Sequence, residues 1–349
     1  MARGARTPAT LKDIARLTGL SPMTVSRVVR GRPHVSEASR RKVLAAVRRL
    51  GYIPNPAARF LVTRSHPPTR GERIIGALFS QEVVTSHSYF SGIIQGIADE
   101  ARRQDCHLLL GYGLGDTSQP VDYPRMLREV MTRWIILVGK VPPRFVRQLA
   151  GNGFSLVLVD MRPPLPQVDA VVCDDARAAY EATRHLLGLG HRRIALIRGP
   201  ARHPFSRALT EGYRRALADS GLPLAPELVA DSSLRPESGY AAAQALLKGP
   251  LRPTAIFTND DMAIGALRAI GDQGLRVPED VALVGYDDIE YAAHTTPALT
   301  TVAIPKEEMG RIAVRRALDQ MERGDRHVFA TTVVRHTLLI RASCGRSHP

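Results

Sequence analysis

Between Ser21 and Gly31 the chain reads SPMTVSRVVRG, a run in which hydroxyls and guanidiniums recur at helical spacing. On a helix, Val25 and Val28 or Val29 face inward, while Met23, Thr24, Ser26, Arg27 and Arg30 turn outward. Exposed cations and hydroxyls on one helix face are the groups that contact phosphates and base edges of nucleic acid. A helical hairpin with solvated charges would show the same pattern, so the elements around it decide between the two.

The preceding segment, TLKDIARLTGL, places Leu11, Ile14 and Ala15 on one helix face, with Leu17 at its margin. Thr10 is placed to cap that helix, and Asp13, three residues on, completes a capping box. Gly19 suits the left-handed stop. Ser21 then caps a second helix whose first residue is Pro22, where a missing N–H costs nothing. Two helices joined by so short a turn, the second carrying Arg and hydroxyls outward, have the layout of a helix-turn-helix DNA reader. A third helix starts at Ser36 or Glu37, with Val43, Leu44, Val47 and Leu50 on one side, and Gly51 ends it.

Charge separates this head from the rest. The 349-residue chain carries a formal +15, and residues 1–70 hold 15 Lys and Arg against only Asp13 and Glu37, so +13 of the total sits in the head. A basic head on a nearly neutral body is the electrostatic footprint of a nucleic-acid-binding domain joined to something else. Hydrophobic content of 44% and charged content of 23% are those of a globular protein. No apolar run is long enough for a membrane span and no apolar leader opens the chain, so a cytoplasmic location without membrane association is expected. Cys106, Cys173 and Cys344 are far apart and match no zinc spacing, so no metal site is expected.

Beyond the Pro-rich SHPPTRG the texture changes. Short apolar runs such as RIIGALF, WIILVG, SLVLVD, RRIALIRG, TAIFTND and VALVGYDD alternate with helical segments of ten to fifteen residues. That alternation means βαβ units and parallel sheets. There are too many strands for one sheet, which points to two successive Rossmann-like subdomains with a cleft at the carboxyl ends of their strands. A nucleotide-dependent enzyme would need a glycine fingerprint at the first strand-to-helix turn, and ALFSQEVV has none. The loop GYGLGD fails the G-x-G-x-x-G spacing in either register, and no GK[ST] occurs. No nucleophile elbow or metal array appears, and His185 and His191 fall in a helix and the turn after it. Neither catalytic residues nor a cofactor are expected.

The head, through TLKDIARLTGLSPMTVSRVVRG, VSEASRRKVLAAVRRLGYIPN and ARFL, resembles the lactose-repressor/galactose-repressor family of bacterial transcription regulators. The body extends the resemblance with GHRRIALIRGP, TNDDMAIGALRAIGDQGLRVPEDVALVGYDDIE and TPALTTVAIPKEEMG, so that it runs from about Thr10 to Val333. It implies an all-α helix-turn-helix head over residues 1–54 and a hinge helix and linker over 55–71. The α/β core, over 72–342, is periplasmic-binding-protein-like, with crossovers near 160–170 and 290–305, and a tail covers 343–349. The implied activity is that of a dimeric repressor on a pseudo-palindromic operator, controlled by a small metabolite.

Carried over to this chain, the resemblance puts Pro22, Met23 and Arg27 nearest base edges, where Arg27 can pair bidentately with guanine. Thr10, Ser21, Thr24, Ser26 and Arg30 join the DNA-facing set, with Thr24 and Ser26 suited to phosphates. In NPAARFL, Asn55, Ala58 and Arg59 belong to a hinge helix that folds on DNA, and Leu61 becomes a minor-groove wedge, the alternative for Leu61 being a linker residue packed on the core. In the core, Asp160, Asn259 and Asp287 close three apolar runs and are suited to hold the hydroxyls of a polyhydroxylated ligand, although Asn259 and Asp287 could equally be helix caps. Tyr89 and Phe90 correspond to an aromatic wall, with core packing as the competing role.

One departure concerns the Arg that the family carries three residues before the Gly of GY: Leu209 stands there, and Arg207 or His203 would have to reach in instead. A neutral sugar or polyol is therefore the expected effector. The rival reading is a small-molecule-binding module, or a nucleotide-dependent enzyme of the α/β cleft type, without a gene-regulatory role; it leaves the basic head and the hinge unexplained.

Overall fold

The computed structural model of the chain describes residues 9–29, 35–50, 52, 73–80, 87–114, 124–129 and 131–345. The hinge candidates Asn55, Ala58, Arg59 and Leu61, and Arg30 of the head, lie outside the described residues.

Three helices form the head: α1 (Leu11–Thr18), α2 (Pro22–Val29) and α3 (Glu37–Leu50). Ile14, Val25, Val28, Val43, Ala46, Val47 and Tyr52 are buried together as its core. Each fully buried aliphatic side chain of this kind contributes roughly 1.5–3 kcal/mol, enough for a small domain to hold its shape. Val28 rather than Val29 takes the inward place on α2. Leu17 and Leu50, expected at the margin and on the inner face, are both exposed. Each lies at the end of its helix, where the apolar face has turned past the three-helix contact.

The rest of the chain divides into two compact units, one containing 73–172 and 306–332 with the head, the other 173–305 and 333–349. In the first unit the elements are β1 (Ile74–Ser80), α4 (His87–Arg103), β2 (His107–Leu114), α5 (Arg125–Arg128), β3 (Trp134–Val138), α6 (Pro143–Gly151), β4 (Ser155–Val159) and β5 (Asp169–Cys173), to which α11 (Lys306–Arg323) and β11 (Thr331–Val334) return. In the second they are α7 (Asp175–Gly188), β6 (Ile194–Arg198), α8 (Pro204–Ala218), β7 (Val229–Asp231), α9 (Pro236–Lys248), β8 (Ala255–Phe257), α10 (Asp260–Asp272), β9 (Ala282–Asp287), β10 (Thr300–Ala303) and β12 (Thr337–Leu339). The chain passes between the units after residues 172, 305 and 332. Ser343 and Cys344 are buried in the second unit, so the chain stays packed up to the start of the assigned tail.

Each unit has one six-stranded sheet, in the order β11-β5-β4-β3-β1-β2 and β12-β10-β9-β8-β6-β7. The runs IIGALFS, WIILV, SLVLV and DAVVC are buried along nearly their whole length, as parallel strands covered on both faces must be. In both sheets the chain moves outward from the first strand and then returns to its other side. The switch in direction falls between β1 and β3 in the first unit and between β6 and β8 in the second, and ligands of doubly wound sheets bind at the carboxyl ends flanking such a switch. Neighbouring helices within each unit approach each other closely at glycines. A Cβ on Gly96 of α4 would lie 1.9 Å from the Glu307 carbonyl oxygen, and one on Gly212 of α8 would lie 2.2 Å from that of Ala176.

Candidate nucleic-acid interface and effector site

Local chemistry fixes the geometry of the head. The Thr10 backbone N–H donates to Asp13 Oδ2 at 2.9 Å, and the Asp13 N–H donates to Thr10 Oγ1 at 3.3 Å, completing the expected capping box. Hydrogen bonds from the Thr10 side chain and backbone hold the Asp13 carboxyl below its ordinary range. Gly19 ends α1 at φ 68°, its N–H returning to Ala15 O at 2.9 Å. Ser21 Oγ accepts the Thr24 N–H at 3.1 Å and lies 2.9 Å from Thr24 Oγ1, which starts α2 two residues after the stop. Pro22, Met23 and Arg27 are then exposed on α2, Thr24 and Ser26 are half-buried, and Val25 and Val28 face the core.

In the first unit, Asp160 follows β4 at φ 65°, its N–H bonded to Val171 O at 3.0 Å. Tyr89, on the first turn of α4, donates its hydroxyl to Asp160 Oδ1 at 3.2 Å, so these two expected ligand residues meet. Phe90 is buried, edge-on to the Tyr89 ring at 4.9 Å between centroids, and serves as core support for it.

In the second unit, Asn259 caps α10 through Oδ1, which accepts the Met262 N–H at 3.1 Å, leaving its amide NH2 for another partner. Asp287 ends β9 and is nearly buried, with φ 111°. It pairs with Ala303 of β10. Asp260, a fully buried carboxylate absent from the expected set, ties together the segments on either side of it in space. Asp260 Oδ1 accepts the Thr301 hydroxyl at 2.6 Å, and Oδ2 accepts the Ile289 N–H at 2.9 Å. Asp288, also at positive φ, accepts from Arg341 Nη2 at 2.7 Å. Tyr286 donates to Asp175 Oδ1 at 2.7 Å, and burial, reinforced by the Asp175 charge, pushes its phenol well above the ordinary range. Phe205 stands edge-on to the Tyr286 ring at 5.2 Å.

His203 is the N-cap residue of α8 and is half-buried, while Arg207, one turn later, is exposed. Leu209 is fully buried beside Ser206, Gly212 and Tyr213 on the inner face of α8. Two hydroxyls had no spacing signal in the sequence. Thr258 directly follows β8, and Ser206 Oγ would lie 2.9 Å from a Cβ on Gly199, the residue after β6. Both hydroxyls are buried and have no hydrogen-bond partner among the described residues. A buried hydroxyl left without a partner costs about 1–3 kcal/mol, and these two stand beside the switch point of one sheet, where a ligand could satisfy them. Among the described residues no cluster of His, Cys, Asp and Glu could hold a metal ion, and no helix is long and apolar enough to cross a membrane.

A helix-turn-helix head followed by two doubly wound units, with polar groups gathered at carboxyl strand ends, defines a ligand-responsive DNA-binding regulator. Sequence comparison agrees. Residues 10–55 match the bacterial regulatory proteins of the lacI family, and residues 183–344 match the periplasmic binding protein-like domain. The ribose operon repressor of Haemophilus influenzae is 31% identical over 96% of this chain and 98% of its own length. The HTH-type transcriptional repressor PurR of Vibrio vulnificus is 32% identical over 92% of this chain and 95% of its own. Among solved structures, the transcriptional regulator CelR–cellobiose complex superposes with a TM-score of 0.70 at 30% identity, over 96% of this chain and 99% of that one. The lac repressor dimer bound to operator and the anti-inducer ONPF gives 0.70 at 26%, over 97% and 99%. The chain belongs to the lacI family of DNA-binding transcriptional repressors, with an effector-binding core, and is not an enzyme.

Proposed function

We propose that this protein acts in the cytoplasm as a homodimeric repressor on a pseudo-palindromic operator, and that a small, neutral, polyhydroxylated effector controls it. Pro22, Met23 and Arg27 read base edges, while Thr10, Ser21, Thr24, Ser26 and Arg30 serve the phosphate backbone. Asn55, Ala58, Arg59 and Leu61 form the hinge contact, with Leu61 as the minor-groove wedge. Tyr89 and Asp160 in the first unit, and Asn259, Asp287, His203 and Arg207 in the second, contact the effector, with Phe90 supporting Tyr89.

The observation that carries the effector reading is a matched pair. Asp160 follows β4 and Asp287 ends β9, strands that hold the same place in the order of their respective sheets, and both aspartates have positive φ. Such a conformation costs a non-glycine residue about 1–3 kcal/mol and persists where function requires it. Carboxylates are acceptors, so they suit ligand hydroxyls and disfavour ligand carboxylates or phosphates. Leu209 is buried and apolar, so in the proposed set the two carboxylates are opposed by a single arginine, Arg207.

Calorimetry with pentoses, disaccharides, purine bases and sugar phosphates tests the reading. Binding of a neutral sugar, lost in Asp287→Ala while operator binding is retained, is the expected result. Removing one or two charge-assisted hydrogen bonds of about 1.5–3 kcal/mol each weakens binding by at least about tenfold. A preference for a purine or an anionic sugar would overturn the neutral-polyol assignment.

A further inference from the structure

We infer that Met23 is a specificity-determining residue that reads the 5-methyl group of a pyrimidine, a thymine in unmodified DNA, close to the guanine read by Arg27. The inference rests on α2 being the reading helix. Met23 is 68% exposed, and Arg27 lies four residues on, so the two side chains share one helix face while Val25 and Val28 are buried behind them. Among the described residues of α2, the other apolar side chains outside the core are the exposed Pro22 and the half-buried Val29, both shorter than Met23.

The first turn of α2 offers base edges little else. Pro22 has neither an N–H nor a polar side chain. The Ser21 and Thr24 hydroxyls are engaged with each other at 2.9 Å, and Ser21 Oγ also accepts the Thr24 N–H. A side chain without strong donors or acceptors cannot form the paired hydrogen bonds that identify adenine or guanine. The apolar feature of the major-groove floor is the C5 methyl of thymine, and 5-methylcytosine presents the same group. An unbranched thioether adapts its shape to such a contact. Four residues of helix rise about 6 Å, close to two base-pair steps of about 3.4 Å, which places the methyl within about two base pairs of the guanine.

The test uses the full-length protein and the operator sequence it selects from a random duplex library. Arg27→Ala locates the guanine as the position where base preference is lost. Each thymine within two base pairs of it is then replaced by deoxyuridine and, in separate duplexes, its T·A pair by a C·G pair carrying cytosine or 5-methylcytosine. Removing one methyl from a buried contact corresponds to about a fourfold loss of affinity per half-site. The expected result is one deoxyuridine position with such a loss in the wild type and none in Met23→Ala, with 5-methylcytosine there binding more tightly than cytosine. No deoxyuridine effect, or an equal effect in Met23→Ala, overturns the assignment while leaving α2 as the reading helix. If Arg27→Ala also leaves base preference unchanged, the reading of α2 falls with it.

Discussion

Asp260→Ala should be among the most damaging single changes in the second unit. The carboxylate is fully buried at the first position of α10, where the helix N-terminus favours a negative charge. It accepts one hydrogen bond from the Thr301 hydroxyl and one from the Ile289 N–H. Truncation leaves both donors buried without a partner. At about 1.5–3 kcal/mol for each bond to a charged group, the loss is about 3–6 kcal/mol, a large part of the 5–15 kcal/mol that holds a typical domain. Little relaxation is available, because a Cβ on the neighbouring Gly285 would lie only 2.0 Å from Asp260 Oδ1, so the carboxylate already fills its space.

Asp260→Asn keeps the shape and one carbonyl acceptor, so it should lose about half as much. At roughly 2–4 °C per kcal/mol for a unit of this size, Asp260→Ala should lower the melting temperature of the full chain by at least about 6 °C. Thr301→Val, added to Asp260→Ala, should cost far less than it does alone, because the interaction it removes is already gone. Circular dichroism melts of the four variants measure this. A shift below about 2 °C in Asp260→Ala, or equal damage from Ala and Asn, would refute the reasoning.

Two further outcomes follow from the packing. Arg315 donates to both oxygens of the buried Glu100 at 3.0 and 3.4 Å and holds its carboxyl below the ordinary range, although burial opposes this. With a lowered folded-state value, the unfolded chain binds more protons in acid, so this stabilisation is full above about pH 4.5 and is lost as pH falls through the folded-state value. Melting curves from about pH 6 to about pH 3 should therefore show a flatter acid limb in Glu100→Gln. Gly212→Ala should be destabilising by about 1–3 kcal/mol, because its Cβ would meet the Ala176 carbonyl oxygen at 2.2 Å, whereas Gly271→Ala, with nothing within 4 Å, should not lower the melting temperature.

What was legible in the sequence was what local chemistry decides. Thr10 with Asp13, Gly19, and Ser21 before Pro22 fix the helix ends of the head through contacts within four residues, so spacing alone sufficed. The buried parallel strands were legible because a strand covered on both faces must be a continuous apolar run. α11 was not. Its segment KEEMGRIAVRRALDQMER is dominated by charge, and what positions it lies some two hundred residues away, in Glu100 and in the backbone around Ile93 that meets Gly310. Asp260 escaped notice for a similar reason: its neighbour Asn259 carries the cap signal, while the partners of Asp260 lie 29 and 41 residues further on.

Backbone conformation explains how far residue types alone could lead toward the effector site. Nothing in SLVLVD or VALVGYDD distinguishes an aspartate that ends a strand in ordinary extended geometry from one forced to positive φ. The torsions separate the two cases, and they do so in two sheets with the same strand order, at the same strand of each. Residues that break a local rule are informative in proportion to how firmly the surroundings hold them there. Asp287 is held by its pairing with Ala303 of β10, and Asp160 by its N–H bond to Val171 and the hydroxyl of Tyr89. The orphaned hydroxyls of Ser206 and Thr258 break a second rule beside the β6–β8 switch. Positive φ also occurs at Asp105, before β2, and Arg133 Nε and Gln273 Nε2 are also buried without a hydrogen-bond partner among the described residues. What sets Asp160, Asp287, Ser206 and Thr258 apart is their place at or beside carboxyl strand ends, where doubly wound sheets bind their ligands, and that placement joins residue type, backbone torsion and hydrogen bonding in one assignment.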